Sequence, residues 1–400
     1  MNVVVVGNGV AGTLAAKALR DLDSEASITV FAAERHPYYP RPNLIEYLAG
    51  TMAREELFAF PPSWPADRRI DLRLGEPVRA IHPASGEVET AEGRRVRYDR
   101  LLLADGASAS VPPIPGVGRR GVFTLRTLDD AEAVLNELSV RPRVAVIGGG
   151  LLGLEIARGL RGRGADVEVI EFFPYLLPRQ LDPEGSALLR GRIEAAGVRV
   201  RVGTATEEIF GGDSVRGLRF KDGKELAADL AVIAAGVKPN TALARDAGLP
   251  VDRGVLVSDR METGVPGIFA AGDGTQHNGR LYGIIPASFE QARVAAVNLL
   301  GGNASYRGTI PSNTLKVAGL ALTSIGNVNP EGPGYEVLRR ADPERGLYKK
   351  IVLQEGTLVG AIWLGTKSGV SEISKAIARR AAAGPGKESL LEDGFDFSKL

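Results

Sequence analysis

Two clusters of glycine, each followed by an acid, are the residues of this 400-residue chain whose types and spacing point most directly to chemistry. Gly7, Gly9 and Gly12 follow the run Val3 to Val6, and Gly148, Gly150 and Gly153 follow Val144 to Ile147. Each set has G-x-G-x-x-G spacing between a buried-strand pattern and a helical one, the arrangement of a dinucleotide-binding βαβ unit. The first glycine permits a tight turn, the second lets backbone approach a pyrophosphate, and the third lets the helix pack close to its strand. The helix N-terminus then presents unpaired N–H groups and a positive dipole end to the phosphates.

Acids complete both units. Glu34 ends the strand pattern ASITVFAAE, 22 residues past Gly12, and Glu171 ends DVEVIE, 18 residues past Gly153. A carboxylate at that point accepts a hydrogen bond from a ribose hydroxyl, which suits a free 2′-hydroxyl and so NADH rather than NADPH at the second unit. Asp273, in the turn Gly272-Asp273-Gly274 after the apolar run GIFAA, is placed either to bind a polyol or to serve as a turn residue. One such fingerprint is a weak signal; two in one chain strengthen each other.

These residues need elements to position them. The length implies two to four domains, and a hydrophobic fraction of 44% with 24% charged residues is ordinary for a soluble globular protein. Short alternating strand patterns fill Ile70 to Ala104, and the proline-rich Val111 to Gly118 reads as a crossing between domains. The second unit closes with the buried pattern DLAVIAAG, and SFEQARVAAVNLLGG reads as an amphipathic helix with Ser288 as N-cap. A small α+β region follows, with strand patterns at Asn313 to Val317, Tyr348 to Gln354 and Leu358 to Leu364 and a helix in SEISKAIARR. The tail from Gly384 reads as loosely attached or partner-docking.

Composition also excludes chemistry. Without cysteine there is no disulfide, thiolate metal site or redox-active dithiol. His36, His82 and His277 are far apart and lack metal-ligand spacing, so no metal is expected. A net charge of +1 gives no electrostatic footprint for nucleic acid or a membrane surface, and no apolar run reaches a membrane-spanning length. The first strand pattern begins at Asn2, which leaves no room for a leader, so a cytoplasmic protein is expected.

Five pieces then fall in one order: GNGVAG at Gly7, LLLADGASASVPPIPG at Leu101, GGGLLGLE at Gly148, AAGVKPN at Ala234 and GIFAAGD at Gly267. Together they resemble the two-dinucleotide flavoprotein reductases of the pyridine nucleotide-disulfide oxidoreductase class. YYPRPNLIEYLAG, LLPRQLDPEG, LKVAGLALTSIG and YKKIVLQEG bring the chain nearest to NADH:rubredoxin reductases and to the front part of nitrite reductase large subunits.

The resemblance implies an α/β fold of two Rossmann-like domains, for FAD and NAD, plus a small C-terminal α+β domain. FAD is expected on residues 1–111 and 237–302, NADH on 112–236, with 303–400 as the C-terminal domain and tail. FAD-binding residues carried over are Gly7, Gly9, Val10, Ala11, Gly12, Glu34, Arg35, Arg41, Pro42, Val78, Ala104, Asp105, Gly106 and Asp273. Glu290 and Gln291 are expected near the pyrimidine end of the flavin, where a helix N-terminus favours negative charge. For NADH the carry-over is Gly148, Gly150, Leu151, Leu152, Gly153, Glu171 and Gly236.

Two departures stand out. Asp105 replaces the Thr usual in the family's Ala-Thr-Gly turn. Glu155 matches a Glu that relatives pair with a Lys beside flavin and nicotinamide, but Glu46 stands where that Lys belongs. Either Glu46 points to solvent, or two carboxyls approach, and repulsion with burial raises one pKa.

The implied function is electron transfer from NADH through FAD to an external carrier such as rubredoxin, by a monomer or homodimer. Cysteine-dependent disulfide, peroxide and oxidase chemistries are excluded by composition. The alternatives are an electron-input subunit of a larger complex such as nitrite reductase, and a slow-turnover redox-sensing flavoprotein. An acidic carrier calls for a basic patch, for which Arg41, Lys316, Lys349 and Lys350 are the candidates.

Overall fold

The computed structural model of the protein describes residues 1–138, 142–317 and 320–400, with the side chains of 313–317 outside the described part. Lys316 and part of the LKVAGLALTSIG motif therefore lie outside the described side chains. No helix among the described residues is long and apolar enough to cross a membrane.

The valine run forms the strand Asn2–Val6, central in a parallel five-stranded sheet between Ser27–Ala32 and Arg100–Leu103. Its four valines are buried, as expected of a strand covered on both faces. The second unit repeats this with Arg143–Ile147 between Asp166–Ile170 and Leu230–Ile233 in another parallel sheet of five. Both central strands run straight into their glycine turns and then into the helices Val10–Leu22 and Leu151–Gly162. The edge strand of the second sheet, Val122–Thr124, comes directly after the proline-rich crossing and is too short to show a sequence pattern.

The first sheet is completed from far along the chain. Ile268–Ala270 pairs with Arg100–Leu103 as its outermost strand, which delivers the Gly272–Gly274 turn to the carboxyl ends of the sheet. The chain passes between the units through Ala107–Ala109 and Val237–Pro239, which pair antiparallel. The helix after the third turn starts at Ile285, not at Ser288, with Pro286 in its first turn and Ile284 at the cap. Proline is tolerated there because its missing N–H is an orphan in any case.

A five-stranded antiparallel sheet follows, Ser312–Val317, Leu320–Gly326, Thr357–Leu364, Leu347–Gln354 and Tyr335–Asp342 in spatial order, with the helix Val370–Ala378 on it. The tail departs from the expectation of loose attachment. Leu390, Leu391 and Phe397 are buried in the core of this sheet against Trp363, and the Arg379 guanidinium donates to the carbonyls of Phe397 and Leu400. Apolar residues spaced through KESLLEDGFDFSKL carry it into the core.

Candidate functional site

The two glycine turns are built by the same sterics. Gly7 and Gly148 have φ of +108° and +119°, a region L side chains rarely adopt. A Cβ on Gly7 would stand 2.2 Å from the Ala104 carbonyl oxygen, and one on Gly148 2.4 Å from that of Ala234. A Cβ on Gly12 or Gly153 would stand 1.9 Å from the carbonyl oxygen of Gly7 or Gly148. Gly9 and Gly150, in contrast, have nothing within 4 Å of that position. They are also the N-cap residues of their helices, with no side-chain cap bond, so the first-turn N–H groups face that space. The Asn8 side-chain amide is buried beside the first turn without a partner for its nitrogen. Open space, free N–H groups and an orphan donor fit a phosphate-bearing dinucleotide.

A cleft of about 890 Å³ opens over the first turn, at the upper end of the size of small-molecule sites. Gly7, Gly9, Val10, Ala11, Glu34, Arg41, Pro42, Val78, Ala104, Asp105, Gly106 and Asp273 line it. So do Leu151, Leu152 and Glu155, from the first turns of the second unit's helix. Gly12, Gly148, Gly150, Gly153, Glu171 and Gly236 do not line this cleft, and neither does Arg35, an exposed residue packed against Gly75. Glu290 is exposed and accepts from the Thr309 hydroxyl at 2.8 Å. Gln291 is buried and accepts from the Gly272 N–H at 2.8 Å, so it braces the turn that carries Asp273.

Each acid has a different setting. Glu34 pairs with Arg41 at 2.6 Å and accepts from the Tyr39 hydroxyl. Glu171 is buried, its two oxygens accepting from Gly149 N–H at 2.6 Å and Phe173 N–H at 2.8 Å. A carboxylate has about four acceptor sites, so two backbone donors leave capacity for a ribose. Burial pushes the Glu155 carboxyl up to about 7, opposed by the Arg158 charge and reinforced by that of Glu46. Glu46 itself turns to Arg158, at 2.9 Å, and the Thr51 hydroxyl, at 2.6 Å, away from the cleft lining. Burial likewise raises Asp105 to about 7, against its own backbone N–H.

Arg126, which sequence reasoning missed, lines the cleft and ion-pairs with Asp273 at 2.9 Å while donating to the Ala107 carbonyl. It precedes a helix start legible as T-x-x-D: Thr127 and Asp130 form a capping box for Leu128–Glu137. That pattern locates a helix; it does not reveal that the residue before it reaches a carboxylate 147 positions away.

Among the described side chains the basic patch is not assembled. Lys349 and Lys350 are each 5% exposed. Lys350 pairs with Asp182 at 2.9 Å beside the Tyr348 hydroxyl, and Lys349 pairs with Asp393 of the tail at 2.7 Å. Burying an ammonium demands a paired anion, which both have; they join parts of the protein and offer no charge to a partner. Arg41 is committed to Glu34 inside the cleft. The three histidines each meet one carboxylate: His36 with Asp129, His82 with Glu89 and His277 with Asp259.

Comparison with known proteins agrees with this architecture. Residues 1–298 match the pyridine nucleotide-disulphide oxidoreductase family model, and residues 311–381 match the rubredoxin NAD+ reductase C-terminal domain. The chain is 39% identical to nitrite reductase (NAD(P)H) of Bacillus subtilis over 381 residues, covering 95% of this chain and 47% of that protein. It is 30% identical to NADH-rubredoxin oxidoreductase of Clostridium acetobutylicum, covering 94% of each. A crystal structure of a putidaredoxin reductase–putidaredoxin complex superposes with a TM-score of 0.89 at 30% identity, over 98% of this chain and 96% of that one. The chain spans about half the length of the curated relatives it matches first. Proteins of this family use FAD and NAD(H). With both glycine turns, the connecting strands and the C-terminal sheet accounted for, the chain belongs to the pyridine nucleotide-disulphide oxidoreductase family.

Proposed function

We propose that the chain is an FAD-dependent NADH oxidoreductase that passes electrons to an external one-electron carrier such as rubredoxin, without a redox disulfide. One observation carries the reading: Leu151, Leu152 and Glu155, from the second glycine-turn helix, line the cleft that opens over the first glycine turn. A dinucleotide on each turn thus has its reactive end directed to one place. Bound FAD supplies the capacity to accept a hydride and to release electrons singly. Gly7 to Gly12, Arg126 with Asp273, and Arg41 with Glu34 hold it; Gly148 to Gly153 and Glu171 hold NADH. Leu151 and Leu152 exclude water, and Glu155, raised to about 7 by burial, can hold or release a proton near neutral pH. The division into 1–111 with 237–302 for FAD, 112–236 for NADH and 303–400 for the C-terminal domain belongs to this reading. So do a cytoplasmic location and a monomeric or homodimeric state, the latter measured by sedimentation.

Anaerobic titration of the yellow protein tests it. NADH bleaches the flavin stoichiometrically and NADPH does so poorly; a colourless protein, or preference for NADPH, overturns the assignment. A second reading, an electron-input part of a nitrite reductase, is favoured by the 39% identity to a protein of which the chain covers 47%. Fast carrier reduction by the isolated chain speaks for the first reading, and carrier reduction only within a larger complex for the second.

A further inference from the structure

Asp105 is a carboxyl where the cofactor-site reading, on which this inference rests, places phosphates. It follows the strand Arg100–Leu103 and reaches the cleft between the first glycine turn and the Gly272–Gly274 turn. Its backbone nitrogen lies 3.0 Å from where a Cβ on Gly7 would stand, and its Oδ1 3.4 Å from the same point on Gly274. The first helix points its N-terminus into this space, an anion site.

The charged groups around the cleft are engaged elsewhere. Arg126, from the second unit, holds Asp273, and Arg41 holds Glu34. His36 holds Asp129, and Arg245 donates to the Thr241 hydroxyl. Lys238 is exposed at the rim, and Glu155 is itself an acid raised by burial. None of them acts on Asp105, whose shift to about 7 comes from burial against its own backbone N–H alone. Asp105 has no ion-pair partner among the described residues. A diphosphate brought into this space adds negative charge to it. An ionised Asp105 opposes that charge, whereas a protonated one has an O–H donor to offer an anion, as a threonine hydroxyl has.

We propose that Asp105 receives the FAD diphosphate as a neutral carboxylic acid, so that FAD binding takes up a proton and weakens as pH rises. The free protein and the complex are both protonated at Asp105 below about pH 7, where affinity is full. Above it the free protein loses its proton first, and affinity falls by up to about tenfold per pH unit until the higher pKa of the complex is passed.

The test is FAD release on dilution of the holoprotein, read by flavin fluorescence from pH 6 to 9. The dissociation constant of the wild type is expected to be flat below neutrality and to climb above it. In Asp105→Asn, and in Asp105→Thr should the first fold poorly, it stays flat. A pH-independent wild type, or a slope retained in Asp105→Asn and Asp105→Thr, overturns the inference while leaving the site assignment intact. A protein that holds no FAD even at pH 6 overturns both.

Discussion

The two glycine turns are near copies whose surroundings differ. In each, backbone sterics dictate three glycines, with clashes of 1.9 Å waiting at Gly12 and at Gly153. What differs is what closes over them. The first turn lies under a cleft walled by a distant strand, the Asp273 turn and Arg126 from the other unit. The second has Glu171 bound to its own backbone and the exposed pair Phe172 and Phe173 beside it. Enclosure from several parts of the chain suits a resident cofactor; an open site of local parts suits a substrate that comes and goes. The motif is shared; the walls around it are not.

The same methyl group placed in both turns should have the largest and most divergent effects. Gly12→Ala is expected to lose FAD on purification and to lower stability by about 1–3 kcal/mol, since the clash is with backbone. Gly153→Ala is expected to stay yellow while NADH fails to bleach it; flavin absorbance and a urea melt measure both. If Gly153→Ala loses flavin and Gly12→Ala keeps it, the assignment of the turns is reversed.

Removing the second unit's acid has a smaller effect. Glu171→Ala is expected to raise the KM for NADH about tenfold, close to 1.4 kcal/mol, with unchanged FAD content and little change toward NADPH. Steady-state kinetics with both nucleotides checks it, and an unaltered ratio removes Glu171 from specificity.

Glu155 belongs to the second unit and faces the cleft of the first, so its titration reports where the two meet. Its raised pKa keeps it neutral below about pH 7 and charged above. The rate of flavin bleaching by NADH is therefore expected to bend near pH 7, and Glu155→Gln to lack that bend in stopped-flow measurements. The smallest effect belongs to Glu46, whose charge is the least of the named causes of that shift. Glu46→Gln is expected to move the bend to lower pH, toward the ordinary carboxylate range; a move to higher pH contradicts the repulsion.

Several features were legible because they are local. A four-valine run, three glycines and an acid specify strand, turn and helix within some 30 residues, and the expected units formed. Lys349 and Lys350 misled because two adjacent lysines in a strand pattern look solvated. Nothing near them announces Asp182 or Asp393, which reach them only when separate elements pack. The tail misled for the same reason: its charges are evident, while the pocket that takes Phe397 exists only once the last sheet is folded. The direction of Glu46 stayed open in the sequence, since it depends on Arg158, 112 positions away, which takes its carboxylate.

Glycine spacing specified the two cradles through short-range backbone sterics, and composition, which needs no fold, removed thiol chemistry. Tertiary structure decided that Leu151, Leu152 and Glu155 reach the cleft over the first turn, that Arg126 answers Asp273, and that Asp105 stands there without an ion-pair partner among the described residues. These depend on pairings such as Ile268–Ala270 with Arg100–Leu103, which juxtapose residues far apart in the chain and so leave no mark in its local pattern.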